Sequence, residues 1–122
     1  MSVNSLTKIA NKHNFTNTFT AEYNLDKTAL TLITPTSGKK IKVTGVYIST
    51  EGATTIGQKI RVYFVTSANT VASFFPSAVA NTASTIELSN IVVEGAVDEV
   101  LSLTSDLGND KNYYIAVNYE EV

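Results

Sequence analysis

Carboxylates are the most numerous side chains in this sequence that can do acid–base chemistry. Five of them fall where turns or polar strand faces are predicted: Glu51, Glu87, Glu94, Asp98 and Glu99. Glycoside hydrolysis needs two carboxyl groups close together in one cleft, one acting as the acid and the other as base or nucleophile. In turns and on polar strand faces, a solvated charge is the ordinary role of such a group. The carboxylates therefore predict no catalytic pair.

Two loops come close to ligand-binding motifs without meeting their requirements. Residues 52–59 nearly match the phosphate-binding pattern GxxxxGK[ST], but Gln58 separates the second glycine from the lysine. That motif also needs a following helix whose N-terminal amides hold the phosphate, whereas a strand is predicted here. Residues 106–110 are rich in oxygen atoms but lack the ligand spacing and closing glutamate of a calcium loop. We therefore predict a hairpin loop and an Asx turn, respectively.

The sequence also lacks the set of histidine and cysteine residues that a zinc site would need, and it lacks a motif with a nucleophile that a histidine would activate. His13 is the only histidine and the chain has no cysteine, whereas a zinc site needs several such ligands. No GxSxG motif supplies a nucleophile that His13 would activate. The sequence therefore predicts a protein that is not an enzyme, with no catalytic residue, no metal and no cofactor.

Aromatic side chains are the remaining candidates for recognition. Tyr63 and Tyr114 fall on the outward parity of their predicted strands, and Phe74 and Phe75 lie in a long connection. Exposed aromatic rings stack on sugars or anchor protein interfaces. The alternative for the tyrosines is packing on a sheet surface, and for the phenylalanines it is capping the end of the core. The candidate interface residues are these four, together with Leu6 and Ile9 near the N-terminus.

Composition restricts both the class of protein and its partners. The 122 residues are 43% hydrophobic and 16% charged, so one domain with an ordinary core is expected. A net charge of −2 provides no basic field that attracts phosphates, and we predict no nucleic-acid partner. No apolar run approaches the ~20 residues of a membrane span, and no signal peptide opens the chain. We therefore expect synthesis in the cytoplasm and no membrane partner.

Alternation of apolar and polar residues indicates that β-strands position these side chains. In the run 59–66 it predicts that the inward residues are Ile60, Val62 and Phe64 and the outward residues are Arg61, Tyr63 and Val65. The longest predicted strand lies within residues 38–50, after a Gly-Lys-Lys turn, and reads as an interior strand between the apolar runs 28–34 and 59–66. Its apolar residues change parity, which predicts either cover on both faces near its end or a β-bulge at Gly45. A similar slip near Asn90 predicts a second bulge or bend.

Seven or eight strands indicate an all-β fold, since the long crossover predicted at residues 67–84 holds either a short strand or a helical turn of its own. We predict a two-sheet antiparallel sandwich of jelly-roll or Greek-key topology, because long crossovers suit strands that change sheets. An immunoglobulin-like sandwich remains an alternative, although the chain lacks the tryptophan typical of it. Residues 15–122 are expected to form this single domain, and the polar residues 1–14 are expected to form a flexible N-terminal arm.

Three stretches of the chain resemble a known group of proteins. They are residues 29–33 (ALTLI), 37–49 (SGKKIKVTGVYIS) and 112–119 (NYYIAVNY). Their order of aliphatic strand, Gly-Lys-Lys turn, long strand and closing tyrosine-rich strand resembles the small β-sandwich, jelly-roll-like virion accessory and capsid decoration proteins of tailed bacteriophages. The resemblance covers residues 29–119 and includes no catalytic signature.

The resemblance implies a structural virion protein, and most directly a capsid decoration protein that binds the capsid surface and stabilises it. It also implies a homo-oligomer, with a trimer favoured, attached through a terminal arm or a sheet edge to the major capsid protein or another virion protein. The location would then be the virion, after synthesis in the host cytoplasm. A second hypothesis is a carbohydrate-binding β-sandwich module that uses Tyr63 or Tyr114 as a stacking platform.

Overall fold

Eight β-strands make up the fold. The structure is a computed structural model that describes residues 16–24, 26–54, 57–78, 82–107 and 111–122. The strands are β1 (Asn17–Tyr23), β2 (Lys27–Ile33), β3 (Ile41–Thr50), β4 (Ile60–Phe64), β5 (Asn69–Phe74), β6 (Ser84–Glu94), β7 (Leu101–Ser105) and β8 (Tyr113–Glu121). The described part of the chain contains no helix, and so none that is long and apolar enough to cross a membrane. The predicted all-β class is confirmed.

The strands form two antiparallel sheets of four strands each. Sheet A has the order β1-β8-β3-β6, and sheet B has the order β2-β7-β4-β5. Pairing is nested along the chain, because β1 pairs with β8, β2 with β7, β3 with β6 and β4 with β5. This nesting results when one long antiparallel hairpin is rolled into two facing sheets, which is a jelly roll. The predicted two-sheet sandwich is therefore confirmed, with jelly-roll rather than immunoglobulin-like topology.

Strand β3 is an interior strand, as predicted, but its neighbours differ from those expected. It pairs with β8 on one side and with β6 on the other. The runs that flank it in sequence, β2 and β4, both lie in sheet B. The expectation of sequence-adjacent neighbours was wrong, because both connections of β3 cross between the sheets. For the same reason, the loop between β3 and β4 is not the predicted hairpin loop.

Side chains of alternating parity fill the space between the sheets. In β4, Ile60, Val62 and Phe64 are fully buried, as the alternation predicted. The largest fully buried side chains include Phe64, Ile41, Ile48, Ile60, Leu101, Leu103, Leu107 and Ile115. Each such side chain contributes about 1.5–3 kcal/mol when it leaves water. Because the chain has no cysteine, this packing stabilises the sandwich without disulfides.

Both predicted irregularities occur in sheet A. In β3, the register shifts between Val43 and Gly45 in the pairing with both neighbouring strands. The shift lies opposite Asn90 of β6, whose φ of 57° is left-handed, a conformation that asparagine tolerates better than most residues. A Cβ atom at Gly45 would lie 3.2 Å from the Leu88 carbonyl oxygen. Glycine therefore allows β6 to approach closely at the bulge.

The connections collect at the two ends of the sandwich. The end that we call proximal carries the β2–β3, β4–β5 and β6–β7 connections and the start of β1. The distal end carries the β1–β2, β3–β4, β5–β6 and β7–β8 connections. The crossover predicted for residues 67–84 contains β5, so of its two predicted contents the short strand is confirmed and the helical turn is not. Its predicted extent was wrong, because β5 forms a hairpin with β4 and only the β5–β6 connection crosses between the sheets. These two ends, together with the outer faces of the sheets, are the surfaces on which functional residues are placed.

Candidate functional site

The residues singled out from the sequence do not form one surface. They are Leu6, Ile9, Tyr63, Phe74, Phe75 and Tyr114. The first two lie outside the described residues, as do His13 and the rest of the predicted arm, residues 1–14. The two phenylalanines lie at the distal end, and the two tyrosines lie on the outer faces of different sheets.

Phe74 and Phe75 have different environments although they are adjacent. Phe74 packs partly against the hydrophobic core, whereas 59% of Phe75 is exposed. The Lys59 ammonium nitrogen lies 5.8 Å from the centroid of the Phe75 ring, within the range of a cation–π interaction. The core-capping alternative therefore describes Phe74, and Phe75 is the ring that a partner can reach.

Tyr63 is covered on the outer face of sheet B, with only 9% of its surface exposed. Its hydroxyl oxygen lies 2.8 Å from Thr104 Oγ1, and the Arg61 guanidinium carbon lies 4.4 Å from its ring centroid. Arg61 Nη2 in turn donates a hydrogen bond of 3.0 Å to Thr70 Oγ1. The packing alternative therefore describes Tyr63, because its ring has little open face for a sugar.

Tyr114 borders a groove at the distal end of sheet A. The groove has a volume of about 670 Å³, and we call it the distal groove. Its polar lining includes Glu22, Asn24, Ser49, Glu51 and Asn112. The ring of Tyr47 packs edge-on against that of Tyr114, with centroids 6.1 Å apart. Tyr114 thus borders a concave surface.

Hydrogen bonds hold several lining residues of the distal groove in place. The Glu51 carboxylate accepts hydrogen bonds from the Asn112 backbone N–H, at 3.2 Å, and from its side-chain Nδ2, at 3.1 Å. In the core below, the Tyr113 hydroxyl lies 2.8 Å from Ser105 Oγ. Burial raises the pKa of Tyr113 to about 12. The groove is therefore held in shape by the protein itself.

Three exposed valines at the proximal end were not singled out from the sequence. The exposed fractions are 61% for Val65, 66% for Val92 and 52% for Val97. Val65 lies in the β4–β5 connection, Val97 in the β6–β7 connection and Val92 near the end of β6. We call these three residues the proximal patch. Alternation placed Val65 on an outward parity, but only the fold brings the three valines to one end.

A buried carboxylate joins the two connections that carry Val65 and Val97. Only 7% of Glu99 is exposed, and its Oε1 and Oε2 accept hydrogen bonds from the backbone N–H groups of Ala96, at 2.8 Å, and Ser67, at 2.9 Å. Burial alone would raise the pKa of this carboxyl group, but the hydrogen bonds outweigh it and hold the pKa below the ordinary value of 4.5. The prediction that Glu99 is a solvated charge was wrong, because a folded loop surrounds it with N–H donors.

Glu99→Gln is expected to lower the free energy of unfolding at neutral pH by about 1–3 kcal/mol, because a neutral amide accepts weaker hydrogen bonds than a carboxylate. A carboxyl group whose pKa is lower in the folded state adds stability above its unfolded pKa and loses it as the pH falls through its folded pKa. The free energy of unfolding of the wild type should therefore decrease as the pH drops below 4.5, the ordinary pKa of the group. The glutamine variant should lose less stability over the same pH range. Denaturant titrations at neutral pH and in mild acid measure both effects. Glu87→Gln is the exposed control, and equal losses in the two variants at neutral pH would contradict this role of Glu99.

Comparison with known proteins bears on the fold. No protein-family model matches the sequence, and no curated protein matches it. Among solved structures, a chain in the acidic stable capsid structure of Helicobacter pylori bacteriophage KHP30 aligns with a TM-score of 0.61 and 19% identity. The alignment covers 90% of this chain and 94% of that one. The chain shares the jelly-roll fold of this phage capsid chain.

Two further structural likenesses are weaker. A chain in the cyanophage Pam1 capsid asymmetric unit aligns with a TM-score of 0.48 and 16% identity, over 87% of this chain and 83% of that one. A chain of the Bacillus endospore appendages, which form disulfide-linked pili, aligns with a TM-score of 0.42 and 7% identity, over 87% of each chain. Because the KHP30 alignment covers most of both chains, this chain and the KHP30 capsid chain are of similar length.

Carboxylates in this jelly roll are used mainly to fix connections. Glu51 binds Asn112, Asp98 Oδ1 accepts a hydrogen bond of 2.6 Å from the Gly38 N–H, and Glu99 binds the two N–H groups described above. In the described residues, no three His, Cys, Asp or Glu side chains group closely enough to hold a metal ion. Among the described residues, the surfaces open to partners include the proximal patch, the distal groove and the exposed ring of Phe75.

Proposed function

We propose that this chain is a structural virion protein, and specifically a capsid decoration protein that binds the capsid surface and stabilises it. The observation that carries the proposal is the jelly-roll fold that it shares, over 90% of its length, with a phage capsid chain of similar length. Its partner is the major capsid protein or another virion protein, and its location is the virion. A homo-oligomer, with a trimer favoured, is part of the same proposal.

The proposed attachment is at the proximal end. Strand β1, which the predicted arm precedes in the sequence, begins at that end. The valines of the patch are more than half exposed, and burying apolar surface contributes roughly 25 cal/mol per Å². The net charge of −2 offers little electrostatic attraction by comparison. We therefore propose that the arm and the patch dock together and that apolar burial supplies the affinity.

Deleting residues 1–14 is expected to weaken capsid binding by about tenfold, because the arm then contributes no contacts. The measurement is co-sedimentation of the purified protein with capsids assembled without it. Leu6→Ser combined with Ile9→Ser is the matched variant, since it keeps the length of the arm and removes two of its apolar side chains. Undiminished binding of the truncated protein would contradict attachment through the arm and leave the proximal patch as the separate element to test.

A carbohydrate-binding module is the second candidate function, and the position of Tyr114 is the observation that favours it. Tyr63 was the other platform considered, but Arg61 and Thr104 cover its ring and hydroxyl. Tyr114 borders the distal groove together with several polar side chains. Because the groove and the proximal patch lie at opposite ends of the sandwich, sugar binding and capsid docking are compatible in one molecule.

A further inference from the structure

The distal groove places an aromatic ring beside polar side chains that the protein itself leaves unused. In the register of sheet A, Tyr114 of β8 is the Cα partner of Glu22 on β1 and of Ser49 on β3. A carboxylate, a phenol and a hydroxyl therefore lie side by side in one row of the sheet. Within the described residues, the side chains of Glu22 and Asn24 have neither a hydrogen-bond partner nor an ion-pair partner. These two side chains remain available to a ligand.

The groove is largely preformed. Tyr47 packs edge-on against Tyr114 and limits the orientations of its ring. The hydrogen bonds between Glu51 and Asn112 hold the ends of β3 and β8 together at the rim. A ligand that fits such a site does not have to order the side chains that receive it, so less of the interaction energy is lost on binding.

The charges along the groove select among ligands. Glu22 and Glu51 line it, and neither a lysine nor an arginine is among its lining residues. Anionic ligands such as phosphates and uronic acids are therefore repelled, whereas neutral ligands are tolerated and amines are attracted. A volume of about 670 Å³ falls within the range of about 300–1,000 Å³ that is typical of small-molecule sites.

We propose that the distal groove binds a saccharide built of neutral or amine-bearing sugars. A sugar ring has an apolar face of C–H groups that stacks on an aromatic ring, and a rim of hydroxyl groups that needs hydrogen-bond partners. Tyr114 provides the stacking platform, and Glu22 and Asn24 bind the rim. This inference deepens the carbohydrate-binding candidate and does not rest on the capsid proposal, because the groove is at the end opposite the proposed attachment.

The test is isothermal titration calorimetry of the full-length protein with defined sugars. The probes are the trimers of N-acetylglucosamine, which is neutral, of glucosamine, which carries amines, and of galacturonic acid, which is anionic. We expect binding of the first two and none of the third. Tyr114→Ala should weaken binding by about tenfold, and Tyr114→Phe should retain most of it because the ring remains. Glu22→Gln should reduce the preference for glucosamine over N-acetylglucosamine.

The controls separate a binding site from a general effect on the fold. Glu87→Gln removes a carboxylate from the same outer face, outside the groove lining, and should leave sugar binding unchanged. Thermal unfolding shows whether each variant is folded. Absence of binding to all probes, equal binding by wild type and Tyr114→Ala, or tightest binding of the galacturonic acid trimer would overturn the proposal. Capsid co-sedimentation of Tyr114→Ala should match the wild type, so failure of this proposal is distinguishable from failure of the capsid proposal.

Discussion

Gly52→Ala is expected to lower the free energy of unfolding by about 2–5 kcal/mol. Gly52 follows β3 with a φ of 109°, and a Cβ atom there would lie 2.8 Å from the Ser77 carbonyl oxygen and 2.9 Å from that of Thr82. The positive φ costs a residue with a Cβ atom about 1–2 kcal/mol. The overlap adds about 1–3 kcal/mol, because backbone oxygens cannot rotate away as a flexible side chain does. Denaturant-induced unfolding measures the total.

Gly38→Ala is the matched control for this prediction. Gly38 also has a positive φ, of 84°, but nothing lies within 4 Å of the Cβ atom that alanine would add. The Gly38→Ala variant should therefore lose only the conformational cost of the positive φ, about 1–2 kcal/mol of the free energy of unfolding. The difference between the two variants then measures the overlap between the β3–β4 and β5–β6 connections at the distal end. Equal losses would show that this contact relaxes and that glycine is not required for it.

Val65→Asp combined with Val97→Asp is expected to weaken capsid binding by about tenfold or more, because docking would bury two carboxylates that have no partner. Both positions are more than half exposed in the isolated chain, so the fold itself should tolerate the change. Co-sedimentation with capsids measures the binding, and thermal unfolding verifies that the variant is folded.

Phe75→Asp is the matched control for the proximal patch. Phe75 is exposed to a similar extent, at 59%, but lies after β5 at the distal end. Capsid binding by this variant should equal that of the wild type. If Phe75→Asp abolished binding and the double valine variant retained it, the docking surface would be at the distal end and the proposed orientation would be wrong.

The strands and their irregularities could be predicted because they are local properties of the sequence. Alternation identified the inward residues of β4, and parity slips located the bulge at Gly45 and the bend at Asn90. The partners of each strand could not be predicted in the same way. Asn17 pairs with Tyr119, at the opposite end of the chain, and an alternating pattern specifies which face is buried but not which strand lies beside it. This explains why β3 was assigned the wrong neighbours.

The candidate site was less predictable, because exposure depends on residues that are distant in sequence. Tyr63 and Tyr114 share an outward parity, yet Arg61 and Thr104 cover the first ring whereas the second borders a groove. Glu99 looked like an ordinary solvated carboxylate until the loop placed backbone N–H groups around it. A charge that is satisfied by backbone donors leaves no signature in a single sequence.

Binding of the unaltered full-length protein to capsids from its own source is the most direct test of the proposed function. The measurement is co-sedimentation over a range of protein concentrations with capsids that lack it. A capsid decoration protein should bind saturably, with a fixed number of copies per capsid, and should raise the temperature at which the capsid dissociates. Absence of binding, or binding that rises without saturation and leaves capsid stability unchanged, would contradict the proposed function.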